Sequence, residues 1–351
     1  MDRHRIVSAI YACLTVSSWW ATGCASPVPT STAQPSVREE SVSFKNGDVM
    51  LAGTLVVPGG PGRHPAVVLF HGSGPEPRNL GMARWFAAQG LAALTYDKRG
   101  VGESTGDFRT VPFMDLHLDG LAGLALLAHR DDIDRSHIGV WGLSQGGWLG
   151  PLAAARSHDV SFVIAVSGPA VSPGEQMVFY WANQLRADGV PEPSVQEMTA
   201  LRRLVWNAAS TGKDLAGATA HLEEARRKAP DEHVRAQQDD LAKALRRPAS
   251  LWIAQEMNYD PLITLRQVTV PSLFIFGEED QVVPVGESVD RIRRTLTETH
   301  HPDFTIRTFP GADHTMYVRE PDGSQHLATG YYSAMRDWLL TRVGSQGKRY
   351  R

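Results

Sequence analysis

Cysteine is almost missing from this chain: among 351 residues it occurs only as Cys13 and Cys24. Everything beyond residue 24 is therefore unable to close an internal disulfide, and its stability has to come from an apolar core. No CxxC pair and no HExxH helix is present, which argues against a structural zinc and against a zincin centre. Long runs of Lys or Arg are lacking too, and 35 Lys+Arg against 38 Asp+Glu leave a formal charge of −3. Such a balance carries no electrostatic footprint for nucleic acid, so a small-molecule partner is expected instead. No internal repeat is visible. Hydrophobic residues at 42% and charged residues at 21% exclude a mostly disordered or collagen-like chain. The length suits one large α/β domain carrying an insertion.

The N-terminus reads as an export signal. Residues 1–5 (MDRHR) are positively charged, and a short apolar run ending in small residues follows, so residues 1–23 are expected to be a signal peptide. The run sits at the lower limit for spanning a bilayer, which leaves an uncleaved signal anchor or plain secretion as alternatives. Ala21-Thr22-Gly23-Cys24 resembles a bacterial lipoprotein lipobox, departing from it at Ala21, where Leu is usual. That resemblance implies a lipid on Cys24 and an exported protein anchored in a membrane, facing the periplasm or the exterior. Residues 24–40, rich in Pro, Ser and Thr, read as an extended tether that cannot form a core.

From residue 41 the pattern changes. Two β-type runs flank Asn46-Gly47, a strong hairpin signal. Five short apolar runs follow at residues 65–70, 91–96, 138–142, 160–167 and 271–277, none of them alternating, as expected of strands buried on both faces. Helical spacing lies between them at residues 80–89, 113–130 and 146–155. Alternation of this kind implies a parallel sheet covered by helices, with functional groups at the carboxyl ends of the strands. Residues 172–260 break the rhythm with helix-forming residues and scattered prolines, which reads as an inserted helical cap between core segments 41–171 and 261–343. A last strand is expected at residues 304–309, a final amphipathic helix at 331–343, and a tail at 344–351.

Gly142-Leu143-Ser144-Gln145-Gly146 follows an apolar strand and precedes a helix, the context in which G-x-S-x-G presents a nucleophile on a sharp turn. Glycines relieve the crowding that such a turn imposes on the backbone. Without that context the pentapeptide would read as a Gly-rich loop with an incidental serine. A serine nucleophile needs a base, usually His, and a carboxylate to hold that base. Two segments past strand ends offer them: Gly277-Glu278-Glu279-Asp280 and Pro310-Gly311-Ala312-Asp313-His314. Glu278, Glu279 and Asp303 rival Asp280 as the acid, while His300, His301 and His326 rival His314. Asp313 is adjacent to His314, and adjacent side chains normally diverge.

These residues together resemble the α/β-hydrolase superfamily over about residues 41–343. The likeness rests on the order Ser144, Asp280, His314, on His71-Gly72-Ser73-Gly74 after one strand, and on the stretch Tyr96-Asp97-Lys98-Arg99-Gly100-Val101-Gly102-Glu103-Ser104 after the next. The G-x-x-D-x-x-V-P pattern selects Asp280 among the acids. The resemblance implies an α/β-hydrolase fold, a mostly parallel central sheet with helices on both faces and a helical cap insertion. It further implies carboxylic ester hydrolysis with Ser144 as nucleophile, His314 as base and Asp280 as its orienting acid, with the Gln145 and Ser73 amides as oxyanion hole. No metal or organic cofactor is implied, and the expected partner is a small ester-like molecule. His71 is expected to be structural, and Asp97 and Arg99 to fix loop geometry by pairing. Serine in place of Asp at the nucleophile position argues against dehalogenase and epoxide hydrolase chemistry. Thioesterase and peptidase activities would use the same residues, and a non-catalytic envelope binding protein is the alternative of another class. Phe179, Tyr180, Trp181, Trp206, Trp252 and Tyr259 suggest a partly apolar acyl or aryl pocket.

Overall fold

The non-alternating apolar runs become the middle of one eight-stranded sheet. In the computed structural model, residues 37–229, 231–246 and 256–343 are described. The expected signal, Cys24, most of the tether, Trp252 and the tail lie outside them. The strands are β1 (Val37–Asn46), β2 (Val49–Pro58), β3 (His64–Phe70), β4 (Ala92–Tyr96), β5 (Ile133–Leu143), β6 (Val163–Val166), β7 (Ser272–Gly277) and β8 (Phe304–Phe309). They lie in the order β1-β2-β4-β3-β5-β6-β7-β8. Pairing is parallel from β4 through β3 to β8, while β1–β2 and β2–β4 are antiparallel. This is a mostly parallel α/β-hydrolase sheet.

Strand periodicity sends alternate side chains to two apolar layers. In β3, Ala66, Val68 and Phe70 enter one cluster with Leu124, Leu127, Trp148, Ile292 and Leu296 from the helices His117–Ala128, Gly146–Arg156 and Val285–Glu298. Val67 and Leu69 enter the other, against Phe86 of Leu80–Ala88 and Met335 and Trp338 of Tyr331–Arg342. Helices thus cover both faces, and each fully buried Leu, Val or Phe contributes about 1.5–3 kcal/mol.

Between β6 and β7 stand the helices Pro173–Ala187, Glu192–Thr211, Leu215–Lys228 and Glu232–Arg246, followed by the short Pro261–Leu265. Local sequence sets their ends. Ser172 caps the first, its hydroxyl accepting the Glu175 amide with Pro173 in the first turn, and Gly212 at φ 69° ends the second. Their apolar faces meet in a cluster of their own, built from Leu185, Val195, Met198, Leu201, Val205 and Leu222 among others.

Some boundaries differ from the sequence reading. β1 starts at Val37, inside the expected tether, because its first four residues pair with Leu55 to Pro58 at the sheet edge and need no apolar face. The hairpin turn is centred one residue later than Asn46-Gly47: Asn46 pairs with Val49, leaving Gly47 and Asp48 in the loop. A two-stranded ribbon, β9 (Tyr317–Arg319) with β10 (Gln325–Leu327), and the helix Val285–Glu298 carried no assignment from sequence.

Candidate active site

The candidate residues gather where the parallel strands end. Ser144 follows β5 with φ at +57°, in the left-handed region that non-glycine residues avoid. The conformation is held from both sides: the Ser144 amide donates to the Val166 carbonyl at 2.9 Å, and its own carbonyl accepts from Gly147 at 2.8 Å. A Cβ on Gly142 would lie 2.3 Å from the Gly146 carbonyl oxygen, so this turn closes only with glycine there. Ser144 itself is half-buried at the start of the helix Gly146–Arg156.

Asp280 and His314 are brought together across 34 residues: His314 Nδ1 lies 2.7 Å from Asp280 Oδ2. The Asp280 carboxylate is fully covered, and its other oxygen accepts the amides of Val282 at 2.7 Å and Val283 at 2.9 Å. Those donors leave one oxygen for the imidazole and fix the orientation of both groups. The His314 carbonyl in turn accepts the Ser167 hydroxyl at 2.9 Å, and the Ser167 amide donates to Ile275 at 2.7 Å. Val166 and Ser167, at the end of β6, thus tie the Ser144 turn to the His314 loop.

The rivals lie elsewhere. Asp303 forms a two-pronged ion pair with Arg342, Glu278 accepts the Thr308 hydroxyl, and His326 pairs with Glu320 on an exposed surface. His300 is exposed, and His301 Nδ1 accepts the Asp303 amide. Asp313 accepts the amides of Thr315 and Tyr317, turned to its own loop.

On the opposite side of Ser144 stands the turn after β3. His71 Nε2 meets the Tyr96 carbonyl at 2.6 Å, so this ring nitrogen carries the proton and donates it. Burial, with the Lys98 charge behind it, pushes the His71 pKa down to about 3, and the ring is neutral. Gly72 is gripped at both ends: its amide donates to Glu76 Oε2 at 2.8 Å and its carbonyl accepts from Lys98 Nζ at 2.8 Å. Lys98 Nζ also reaches the Gln145 side-chain carbonyl at 3.1 Å. Burial raises the Glu76 pKa, against the pull of Lys98 and of the bond from the Gly72 amide. Among the described residues, neither the Ser73 nor the Gln145 amide has an acceptor.

Asp97 and Arg99 are both paired, with different partners: Asp97 with Arg78 and the Glu103 amide, Arg99 with Asp119. Sequence reasoning passed over Glu76 and Lys98. Lys98 stands inside the stretch that carried the resemblance, but nothing in one sequence says that its side chain turns inward.

The inserted helices meet the site through polar side chains. Gln176 and Asn183 of Pro173–Ala187 donate to the carbonyls of Val282 and Gln281 at 2.9 and 3.0 Å, the loop that carries Asp280. Glu256 accepts the Phe113 amide, and burial raises its pKa to about 7. Of the expected pocket aromatics, Tyr180 and Tyr259 pack against the main core, and Trp181 lies under the Arg202 guanidinium. Trp206 borders a cavity of about 260 Å³ with Ser172, Glu175, Val178, Arg203 and Met257, apart from Ser144, Asp280 and His314. Among the described residues no group of three His, Cys, Asp or Glu side chains is placed to hold a metal ion.

Comparison with known proteins agrees with this architecture. The family described as "Serine aminopeptidase, S33" matches residues 62–322. An uncharacterized 31.7 kDa protein from the traX-finO intergenic region of Escherichia coli is 29% identical over 239 residues, 67% of this chain and 79% of that protein. Esterase EstD of Thermotoga maritima is 28% identical over 253 residues, 69% of this chain and 53% of EstD. Among solved structures, an esterase of Pyrococcus furiosus has a TM-score of 0.55 at 16% identity, covering 87% of this chain and 91% of that one. The acylaminoacyl peptidase of Pyrococcus horikoshii has a TM-score of 0.54 at 17% identity, covering 87% of this chain and 42% of that one. Identities this low speak for the fold alone, whereas the family match spans most of the sequence: the chain is an α/β hydrolase and belongs to the serine aminopeptidase S33 family.

Proposed function

We propose that this hydrolase cleaves carboxylic esters through an acyl-enzyme on Ser144. In this reading the Ser144 hydroxyl attacks the ester carbonyl while His314 Nε2 takes its proton, and Asp280 holds the imidazole by Nδ1. The oxygen of the tetrahedral intermediate is met by the Gln145 and Ser73 amides, each donor of this kind being worth about 3 kcal/mol. The alcohol leaves with the proton from His314, and a water activated by the same imidazole releases the acid.

The observation that carries the reading is the 2.7 Å contact of His314 with a covered Asp280, in a loop tied by Ser167 to the end of β6, where the adjacent Val166 holds the Ser144 amide. The esterase relative supports ester substrates. Hydrolysis of peptide amides is the second reading, favoured by the family match. Turnover of p-nitrophenyl esters from acetate to laurate, beside an aminoacyl anilide and an acyl-CoA, decides among these. The expected result is ester cleavage that disappears in Ser144→Ala; equal turnover in that variant refutes the mechanism, and cleavage of the anilide alone selects the peptidase.

Export with a lipid on Cys24 belongs to the same proposal, supported by the signal-like residues 1–23. Metabolic fatty-acid labelling tests it: label is expected in the native chain and absent from Cys24→Ala, and label persisting in the variant refutes the anchor.

A further inference from the structure

Lys98 is a nearly inaccessible ammonium, 2% exposed, lying over the Phe108 ring at 4.9 Å. Burying a charge is costly unless it is matched by close acceptors. Its two close acceptors are the Gly72 carbonyl and the Gln145 side chain, one from each of the segments that flank Ser144. The Gly72 carbonyl and the Ser73 amide belong to one peptide unit, and every described peptide here is trans. In a planar trans peptide the C=O and N–H point in opposite directions. An ammonium holding the carbonyl from behind therefore aims the Ser73 N–H away from Lys98. The second bond anchors Gln145, the residue whose own amide follows Ser144. Glu76 completes the clamp by accepting the Gly72 amide, which prevents that loop from rotating about its other end.

We propose that Lys98 is a positioning residue whose ammonium aims the Ser73 and Gln145 amides at the developing oxyanion. The inference rests on the mechanism proposed above. Lys98 touches no reacting atom and acts through the two main-chain donors. Charged and titratable groups around it are Glu76 on the loop after β3, Asp119 on the helix His117–Ala128, and neutral His71 at the end of β3. Burial pushes the Lys98 pKa down to about 8, while Glu76 and Asp119 hold it up. The clamp thus weakens as pH rises through the mildly alkaline range, and weakens sooner once the Glu76 charge is removed.

The test compares an ester with its thionoester counterpart on the full chain. A thiolate-like oxyanion analogue is a poor hydrogen-bond acceptor, so a working hole favours the oxygen ester, and general damage to the fold slows both alike. For Lys98→Met the expected result is a fall in ester kcat of about 30-fold or more with KM changed less than about threefold, and a collapse of the ester-to-thionoester ratio by about 10-fold. Gln145→Met, which keeps the bond to Gly72, is expected to show an intermediate ratio and serves if Lys98→Met does not fold. Glu76→Gln is expected to move the alkaline limb of kcat to lower pH. A native ratio in both Lys98→Met and Gln145→Met, or in the latter alone where the former does not fold, overturns the inference, as does an unmoved alkaline limb. Turnover retained in Ser144→Ala would instead refute the serine mechanism, so the two failures are distinguishable.

Discussion

The strand ends of the sheet and the inserted helices solve different problems with different bonds. At the strand ends, the backbone of Ser144 and the carboxylate of Asp280 are held by main-chain amides and carbonyls, and His314 by Asp280 and a neighbouring hydroxyl. The insertion gathers its apolar residues into a separate cluster, reaches the Asp280 loop through the side chains of Gln176 and Asn183, and meets the core at Phe113 through Glu256. Main-chain partners survive most substitutions, whereas side-chain partners do not. The backbone around Ser144 is thereby largely insulated from changes in the insertion, while the Asp280 loop depends on it through two side-chain bonds.

The sharpest test of that division is at the strand ends. Ser144→Ala or His314→Ala is expected to lower kcat by about 10⁴-fold or more with the thermal midpoint nearly unchanged, as read by ester turnover beside calorimetry. A smaller effect, and one of stability, is expected from Leu185→Ala inside the insertion's cluster: about 2–4 kcal/mol lost in denaturant unfolding, with acetate ester kcat altered only a few-fold. Equal losses of kcat at Leu185 and at His314 would break the comparison.

Glu256 sharpens it through pH. Its pKa is raised by burial from the ordinary value of 4.5 to about 7, so between these values the folded chain keeps a proton that the unfolded chain releases. Stability accordingly falls as pH rises through that window and stays lower above it. Glu256→Gln removes the fall, and, with both chains referenced to pH 4.5, its unfolding free energy in denaturant is expected to lose up to about 3 kcal/mol less than the native one by pH 7 and above. The smallest effect belongs to Gln176→Ala and Asn183→Ala, each leaving one carbonyl of the Asp280 loop without its donor, for about 1 kcal/mol in the barrier, measured as a several-fold drop in kcat at unchanged pH optimum.

Much of this arrangement is legible in the sequence because a few strong signals coincide. β4, β6 and β7 are uninterrupted apolar runs, as burial on both faces demands. Ser144 and Asp280 follow the buried ends of β5 and β7, while His314 follows β8, a more polar and partly exposed edge strand, so that strand ends and the sequence motifs point to the same places. Legibility fails where a role arises only from segments meeting in space. Lys98 and Gln145 are 47 residues apart, and no local pattern marks a lysine that turns inward. Three-residue strands such as β9 and β10 are too short to show any periodicity. β1 hides its first residues because an edge strand facing solvent has no apolar alternation to display.

The four-residue strand β6 has a consequence for how activity is acquired on folding. Its last residue and the one after it accept Ser144, donate to β7 and donate to the His314 loop, while the insertion separates β6 from β7 in the chain. Closing that long loop adds only a logarithmic entropy penalty, yet the pairing it permits is non-local and correspondingly slow. On the proposed mechanism, regain of hydrolysis during refolding is therefore expected to follow the docking of β7 beside β6, and a chain arrested before that event would hold a closed Ser144 turn without the His314 loop tied beside it.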